Sequence, residues 1–154
     1  DSSVQMRMQS DVPLGAFLSG GVDSSLVAAS MTHQSDQSIK TFSIGFPIKE
    51  FDESAYATQV AKHLHTDHHR FTVTPDATDI LDQLVYLYDE PFGDSSAIPT
   101  WYVSKLTREH VTVSLSGDGG DELFAGYNRY KAVRLSERID QLGPIRVPIE
   151  MGLQ

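Results

Sequence analysis

The stretch Leu18-Ser19-Gly20-Gly21-Val22-Asp23-Ser24-Ser25 sets a glycine pair, hydroxyls and one carboxylate between two apolar runs. The run before it, 13–18, is short enough for a buried strand, and the run after it, 26–29, suits a helix. A strand that turns through glycines into a helix start collects backbone N–H groups with no partner inside the helix, and the dipole adds roughly half a positive charge there. The chemistry this favours is the binding of phosphate. Gly20 and Gly21 allow positive φ and close approach of a bulky anion, and Ser19, Ser24 and Ser25 can add hydroxyl donors. Asp23 would repel a polyphosphate unless a divalent cation stood between them, so the stretch implies Mg²⁺ as well as the anion. The spacing is neither a Walker A loop nor a G-x-G-x-x-G dinucleotide turn. The plain alternative is a glycine-rich turn in which Asp23 or Ser24 caps the helix and nothing binds.

A second stretch has the same character. The β-branched run 111–115 is the clearest strand pattern in the chain and leads directly into Ser116-Gly117-Asp118-Gly119-Gly120-Asp121-Glu122. Both turns open on Leu-Ser-Gly, at Leu18 and at Leu115. Side by side they would offer serine and backbone donors to phosphates, and Asp23 and Asp121 as hard oxygen ligands for Mg²⁺. A cradle that holds the outer phosphates as a leaving group favours attack at the α-phosphate and release of pyrophosphate.

The elements that must position these turns alternate. The pattern predicts a helix tail over 4–9, a strand over 14–18, a helix over 23–32 and a strand over 39–44. Asp52 and Glu53 open a helix with Ala57, Val60, Ala61 and Leu64 on one face, and 70–73 forms a third strand. A helix over 77–88 is expected to bury Ile80, Leu81, Leu84, Val85 and Tyr88. A polar loop follows, in which 94–96 caps a helix to about Arg108 with Pro99 in its first turn. After the strand at 111–115 a helix begins near Leu123, broken near Gly126, and the pairs Gly143-Pro144 and Val147-Pro148 read as loop. Strand–helix alternation implies an α/β fold: a parallel twisted sheet with helices on both faces and ligands at the carboxyl ends of the strands.

Composition narrows the classes. The chain has 154 residues, 40% hydrophobic and 21% charged, which fits one globular domain of ordinary size. Its net charge of −9 argues against a nucleic-acid partner, because such binding depends on Lys and Arg facing phosphates. No run approaches the roughly 18 apolar residues of a membrane span and no signal segment opens the chain, so no membrane partner and a cytoplasmic location are expected. The absence of cysteine excludes disulfides, thiolate nucleophiles and Cys-based zinc sites. A start at Asp1 and an end at Gln154 lead to the expectation of a partial domain, 1–154, from a longer protein.

Residues 19–25 resemble the SGGxDS PP-loop of the ATP pyrophosphatases, a motif shared with GMP, NAD and argininosuccinate synthetases. Residues 115–127 resemble the second signature of the glutamine-hydrolysing asparagine synthetase family, and 41–46, 51–53 and 89–92 agree with it. The resemblance implies the adenine nucleotide alpha hydrolase-like fold of PP-loop ATPases. It also implies ATP-dependent amidation of a carboxylate, aspartate above all, through an acyl-adenylate with release of AMP and pyrophosphate. Carried over residue by residue, Leu18 and Ile44 would touch the adenosine part of ATP. Ser19, Gly20, Gly21, Asp23 and Ser24 would hold the phosphates, Ser116 and Gly117 the nucleotide at the second turn, and Asp23 and Asp121 the Mg²⁺. Asp118, the implied catalytic residue, stands where the family usually carries Glu. Its shorter reach fits relatives that amidate other carboxylates, for example in surface polysaccharide assembly. The family's glutaminase domain, with its amino-terminal cysteine, and a downstream lysine lie outside these residues, so the piece alone should be incomplete; the resemblance is also compatible with a homodimer. The alternatives are a different PP-loop enzyme and an ATP-binding module without catalysis.

The other polar clusters have ordinary readings. His63 and His65 straddle a helix end, and neighbouring His68 and His69 on a strand would face opposite sides, which favours hydrogen bonding over zinc. Asp89 and Glu90 form either an acid/base pair or a loop that caps the next helix. Glu122 starts a helix, and Trp101 and Tyr102 make packing contacts.

Overall fold

A computed structural model describes residues 1–141 apart from Lys49, Phe51 and Pro91. The family-like segments that include Phe51 and Pro91 are therefore described only in part, and the loop pairs at 143–144 and 147–148 lie outside the described residues. The chain divides into two compact units, Asp1–Gly117 and a second from Asp118 onward.

The first unit runs α1 (Ser2–Arg7), β1 (Leu14–Phe17), α2 (Val22–His33), β2 (Lys40–Gly45), α3 (Ser54–Leu64), β3 (Asp67–Thr72), α4 (Ala77–Tyr88), α5 (Ala97–Thr107) and β4 (Val113–Leu115). The second holds α6 (Gly120–Phe124) and α7 (Asn128–Asp140). The strands pair in the order β3-β2-β1-β4, and every pairing is parallel. This is the α/β fold that the alternation of patterns implies. Among the described residues no helix is long and apolar enough to cross a membrane.

Right-handed crossovers carry the chain from β1 through α2 to β2 and through α3 to β3 on one face. Small residues let these helices lie close: Ala28 of α2 meets Ala57 and Ala61 of α3 over the buried Leu18. A second cluster, Ala16, Met31 and Ile39, takes in Val4 and Met8 and so seats α1. The return crossover to β4 brings α5 against β2. Here Phe42 is fully buried, with His69, Phe71 and His110 ringed around it.

Three expectations are corrected. Only Ile80 of the α4 stripe is buried; Leu81 and Val85 are 57% and 62% exposed. The principal neighbour of α4 is α5, and one neighbouring helix covers one narrow stripe. β4 starts at Val113, because the N–H groups of Thr112 and Val113 both donate to the Pro13 carbonyl. The helix near Leu123 starts earlier, at Gly120, and stops because Ala125 adopts φ 57°, after which α7 begins anew.

The alternation on β3 separates its histidines as expected. His68 lies 2.9 Å from Thr41 Oγ1 through Nδ1 and 3.2 Å from Ser43 Oγ through Nε2. His69 instead stacks on Phe42. Burial, and then the neighbouring His69, hold the His68 pKa below its ordinary 6.5. A histidine depressed in the fold contributes stability that is fully present above the unfolded pKa and is lost as pH falls through the folded pKa. The melting temperature of the full-length protein is therefore expected to drop below pH 6.5, and His68→Gln should flatten that drop. An unchanged pH slope in the variant would show that His68 binds its proton equally well in the folded and unfolded states.

Candidate functional site

The site grows from the end of β1. Leu18 N–H still donates to the Phe42 carbonyl at 2.8 Å, so the sheet holds the chain until the turn begins. Gly20 then takes φ +87°, and a Cβ there would lie 2.5 Å from Ala57 N and 2.6 Å from Tyr56 Cβ. Gly21 has φ −68° and ψ 163° and is the N-cap of α2. Of the two glycines, only Gly20 uses the positive φ that glycine allows, and Gly21 sits in extended backbone open to any residue. Neither Asp23 nor Ser24 caps the helix; Asp23 stands inside the first turn, partly exposed.

The hydroxyls brace the turn itself. Ser19 Oγ accepts from Gly21 N–H at 3.2 Å and lies 2.9 Å from Ser24 Oγ. Ser19 N–H also donates to Ser24 Oγ at 3.3 Å, and Ser25 Oγ donates to the Gly21 carbonyl at 2.6 Å. With the hydroxyls so engaged, the backbone N–H groups of the first turn of α2 are the donors that the helix geometry leaves for an anion.

The strand order reverses between β1 and β4: from β1 the chain builds outward to β2 and β3, then returns to pair β4 on the other side. Such a switch point opens a crevice at the carboxyl ends of the strands. β4 pairs with β1 in the register Ala16↔Leu115, so Ser116 and Gly117 emerge beside the first turn of α2. A Cβ on Gly117 would lie 2.7 Å from Ser24 N and 3.0 Å from the Asp23 carbonyl carbon. The two Leu-Ser-Gly openings therefore meet at one sheet edge.

Next to the turn, a cleft of about 220 Å³ is lined by Leu18, Ser19, Ile44 and Phe46 from the strand ends, Glu53 and Ser54 from the start of α3, and Pro99, Thr100 and Val103 from α5. Leu18, Ser19 and Ile44 were expected at the site and share this one hollow. The α5 residues were missed; helical spacing puts Pro99 and Val103 on one face but carries no information about which strand edge that face covers. The start of α3 is held by Asp52, which accepts from Ser54 N–H and from Arg70. Those hydrogen bonds from Ser54, with the nearby Arg70 charge, keep the Asp52 carboxyl below its ordinary pKa.

In the second unit, Asp118 is exposed, and Asp121 lies partly buried in the first turn of α6 behind Gly119 at φ +86°. Elsewhere Asp89 is the left-handed C-cap of α4, so it ends the preceding helix, whereas the N-cap of α5 is Ser96. His65 is likewise the C-cap of α3.

A family model described as asparagine synthase matches residues 1–150. The chain is 50% identical over 127 residues to a putative asparagine synthetase (glutamine-hydrolyzing) 2 of Methanocaldococcus jannaschii, covering 81% of this chain and 24% of that protein. It is 43% identical over 130 residues to asparagine synthetase (glutamine-hydrolyzing) 1 of Bacillus subtilis, covering 84% and 20%. The asparagine synthetase of Bos taurus is 30% identical over 152 residues, covering 92% and 27%. The chain thus spans between a fifth and about a quarter of the length of these relatives.

The two turn glycines are expected to respond differently to substitution. Gly20→Ala forces a side chain into the left-handed region, at about 1–2 kcal/mol, and drives it into α3 besides. Gly21→Ala changes only an N-cap and should cost under about 1 kcal/mol. Thermal melts of the two variants of the full-length protein compare them; equal losses would mean that the geometry of Gly20 is not what requires glycine.

Proposed function

The chain belongs to the asparagine synthase family, and from that premise we propose that it is the nucleotide-binding core of a ligase that uses ATP to amidate a carboxylate. The observation that supports this reading is the packing of Gly117 on the first turn of α2, which brings the two Ser-Gly pairs to one sheet edge beside a base-sized apolar cleft. In the proposed reaction a carboxylate oxygen attacks the α-phosphate of ATP, pyrophosphate leaves, and ammonia then displaces AMP to give the amide. Leu18 and Ile44 contact the nucleoside. Ser19, Gly20, Gly21 and Ser24 form the phosphate loop, with Ser116 and Gly117 at the second turn.

The donor set suits Mg²⁺. Asp23 is a hard oxygen ligand at a helix start that otherwise favours anions, and Asp121 is proposed as the second carboxylate. When bound, Mg²⁺ neutralises polyphosphate charge and steadies the leaving group. The protein's own part is positional: the α2 N–H groups orient the phosphates, and the serine network keeps the turn from collapsing into the space they fill.

The names of the relatives support glutamine as the source of ammonia, supplied by a glutaminase domain of the full-length protein, and the reading extends to aspartate as acceptor and to a cytoplasmic setting. Asp118 favours a second reading for the acceptor. It is one methylene shorter than the family's usual Glu, which suits a carboxylate other than aspartate.

Incubation of the full-length protein with ATP, Mg²⁺, ammonia and heavy-oxygen-labelled carboxylates is expected to yield pyrophosphate and AMP that carries one labelled oxygen from the acceptor. Release of ADP and phosphate instead would overturn the mechanism. Asp23→Ala and Asp121→Ala should each lower turnover by at least about a hundredfold, as loss of a transition-state charge clamp does. Unchanged rates would remove the metal assignment.

A further inference from the structure

The second unit contains a contact that the reaction scheme does not use. Helix α6 is only one turn and a half long; Asp121 lies in its first turn, and it ends at Ala125, which adopts φ 57° and ψ 41°. That reversal folds the chain back until Gly126 N–H donates to the Asp121 carbonyl at 3.0 Å. The Cα of Gly126 thereby rests against the Asp121 side chain. A Cβ at position 126 would overlap Asp121 Oδ1 and come 2.8 Å from Cγ.

Backbone conformation does not demand glycine here. The glycines with positive φ among the described residues are Gly20 and Gly119, whereas the left-handed residue of this turn is Ala125. The space for a side chain at 126 is taken by Asp121, whose carboxylate overlaps it and whose Cα lies 3.2 Å away. The reversal is closed from outside by Tyr127, whose hydroxyl donates to Glu122 Oε1 at 2.7 Å, with the Arg129 guanidinium 4.2 Å from the centre of its ring. With the segment 122–127 clamped in this way, a side chain added at 126 displaces the carboxylate in preference to the backbone.

We propose that Gly126 is a positioning residue for Asp121: its missing side chain lets the carboxylate lie back against the turn and fixes the direction in which its oxygens are presented to a divalent cation. This rests on the reading of Asp121 as a Mg²⁺ ligand. Partners that orient a ligating carboxylate shape metal affinity nearly as strongly as the ligand itself, with losses of about 10- to 100-fold when they are changed.

The test uses the full-length protein with Mn²⁺ as the probe, its bound fraction read by electron paramagnetic resonance in the presence of a non-hydrolysable ATP analogue. Gly126→Ala is expected to weaken Mn²⁺ binding by about tenfold or more, with turnover restored at high metal concentration. Asp121→Ala should weaken binding as well. Melting temperatures of the parent, both single variants and the double variant complete a cycle that isolates the contact. The loss caused by Gly126→Ala should shrink when Asp121 is already alanine, since the carboxylate is gone and only the 3.2 Å contact with the Cα of residue 121 remains. Parent-like Mn²⁺ affinity in Gly126→Ala, while Asp121→Ala binds weakly, would overturn the positioning role. A melting loss equal in both backgrounds would overturn it too. Parent-like affinity in Asp121→Ala would instead remove the metal reading itself, and this inference with it.

Discussion

The parallel pairing of β4 with β1 is the constraint on which the rest of the site depends. Because β2 and β3 build out on one side of β1 and β4 returns on the other, the carboxyl ends of two neighbouring strands diverge at the point where the order reverses. β1 ends immediately before Leu18-Ser19-Gly20 and β4 immediately before Ser116-Gly117, so both Ser-Gly pairs emerge at the same sheet edge. The contact is intimate: the Gly117 backbone sits where a methyl group would collide with the amide nitrogen of Ser24. A sheet with β4 at the opposite edge would keep every motif and lose the site.

Within that frame the small residues divide the work by geometry. Gly20 bends the chain and lets α3 approach; Gly117 lets the second turn approach α2. Gly21 bends nothing and serves as the N-cap. The serines tie the turn to itself and so brace the helix start through its own hydrogen bonds. Preorganisation of this kind places the cost of ordering the donors in folding rather than in binding. The same economy of small side chains recurs in Ala28, Ala57 and Ala61, where the helix pair behind the loop closes down on Leu18.

Where sequence reasoning succeeded, the signal was local. The expectation that neighbouring strand histidines face opposite sides holds, with His68 at Thr41 and Ser43 and His69 on Phe42, although the strand runs over 67–72 rather than the expected 70–73. The helix starts marked by Asp52 and Asp94 are also local, since each carboxylate accepts from the N–H two residues on. Where it failed, the missing information was about neighbours. The stripe on α4 has the periodicity of a buried face, yet Leu81 and Val85 lie in solvent because burial depends on what packs against a helix. The start of β4 was misplaced for a related reason: a carbonyl outside the strand, that of Pro13, takes two N–H groups that its own pattern assigned to the ladder.

The sequence by itself determined the class of fold and the residue types of the site: strand–helix alternation, two glycine turns and the aspartates within them are all set by patterns a few residues long. Only the tertiary structure decided which glycine carries the positive φ, that α5 supplies a wall of the cleft with Pro99, Thr100 and Val103, and that the Asp121 side chain lies in the space beside the Gly126 Cα. The division has one physical cause. Hydrogen-bonded turns and side-chain periodicity act over a few residues, whereas close approach is a property of two segments at once, and no single segment records how near the other will come.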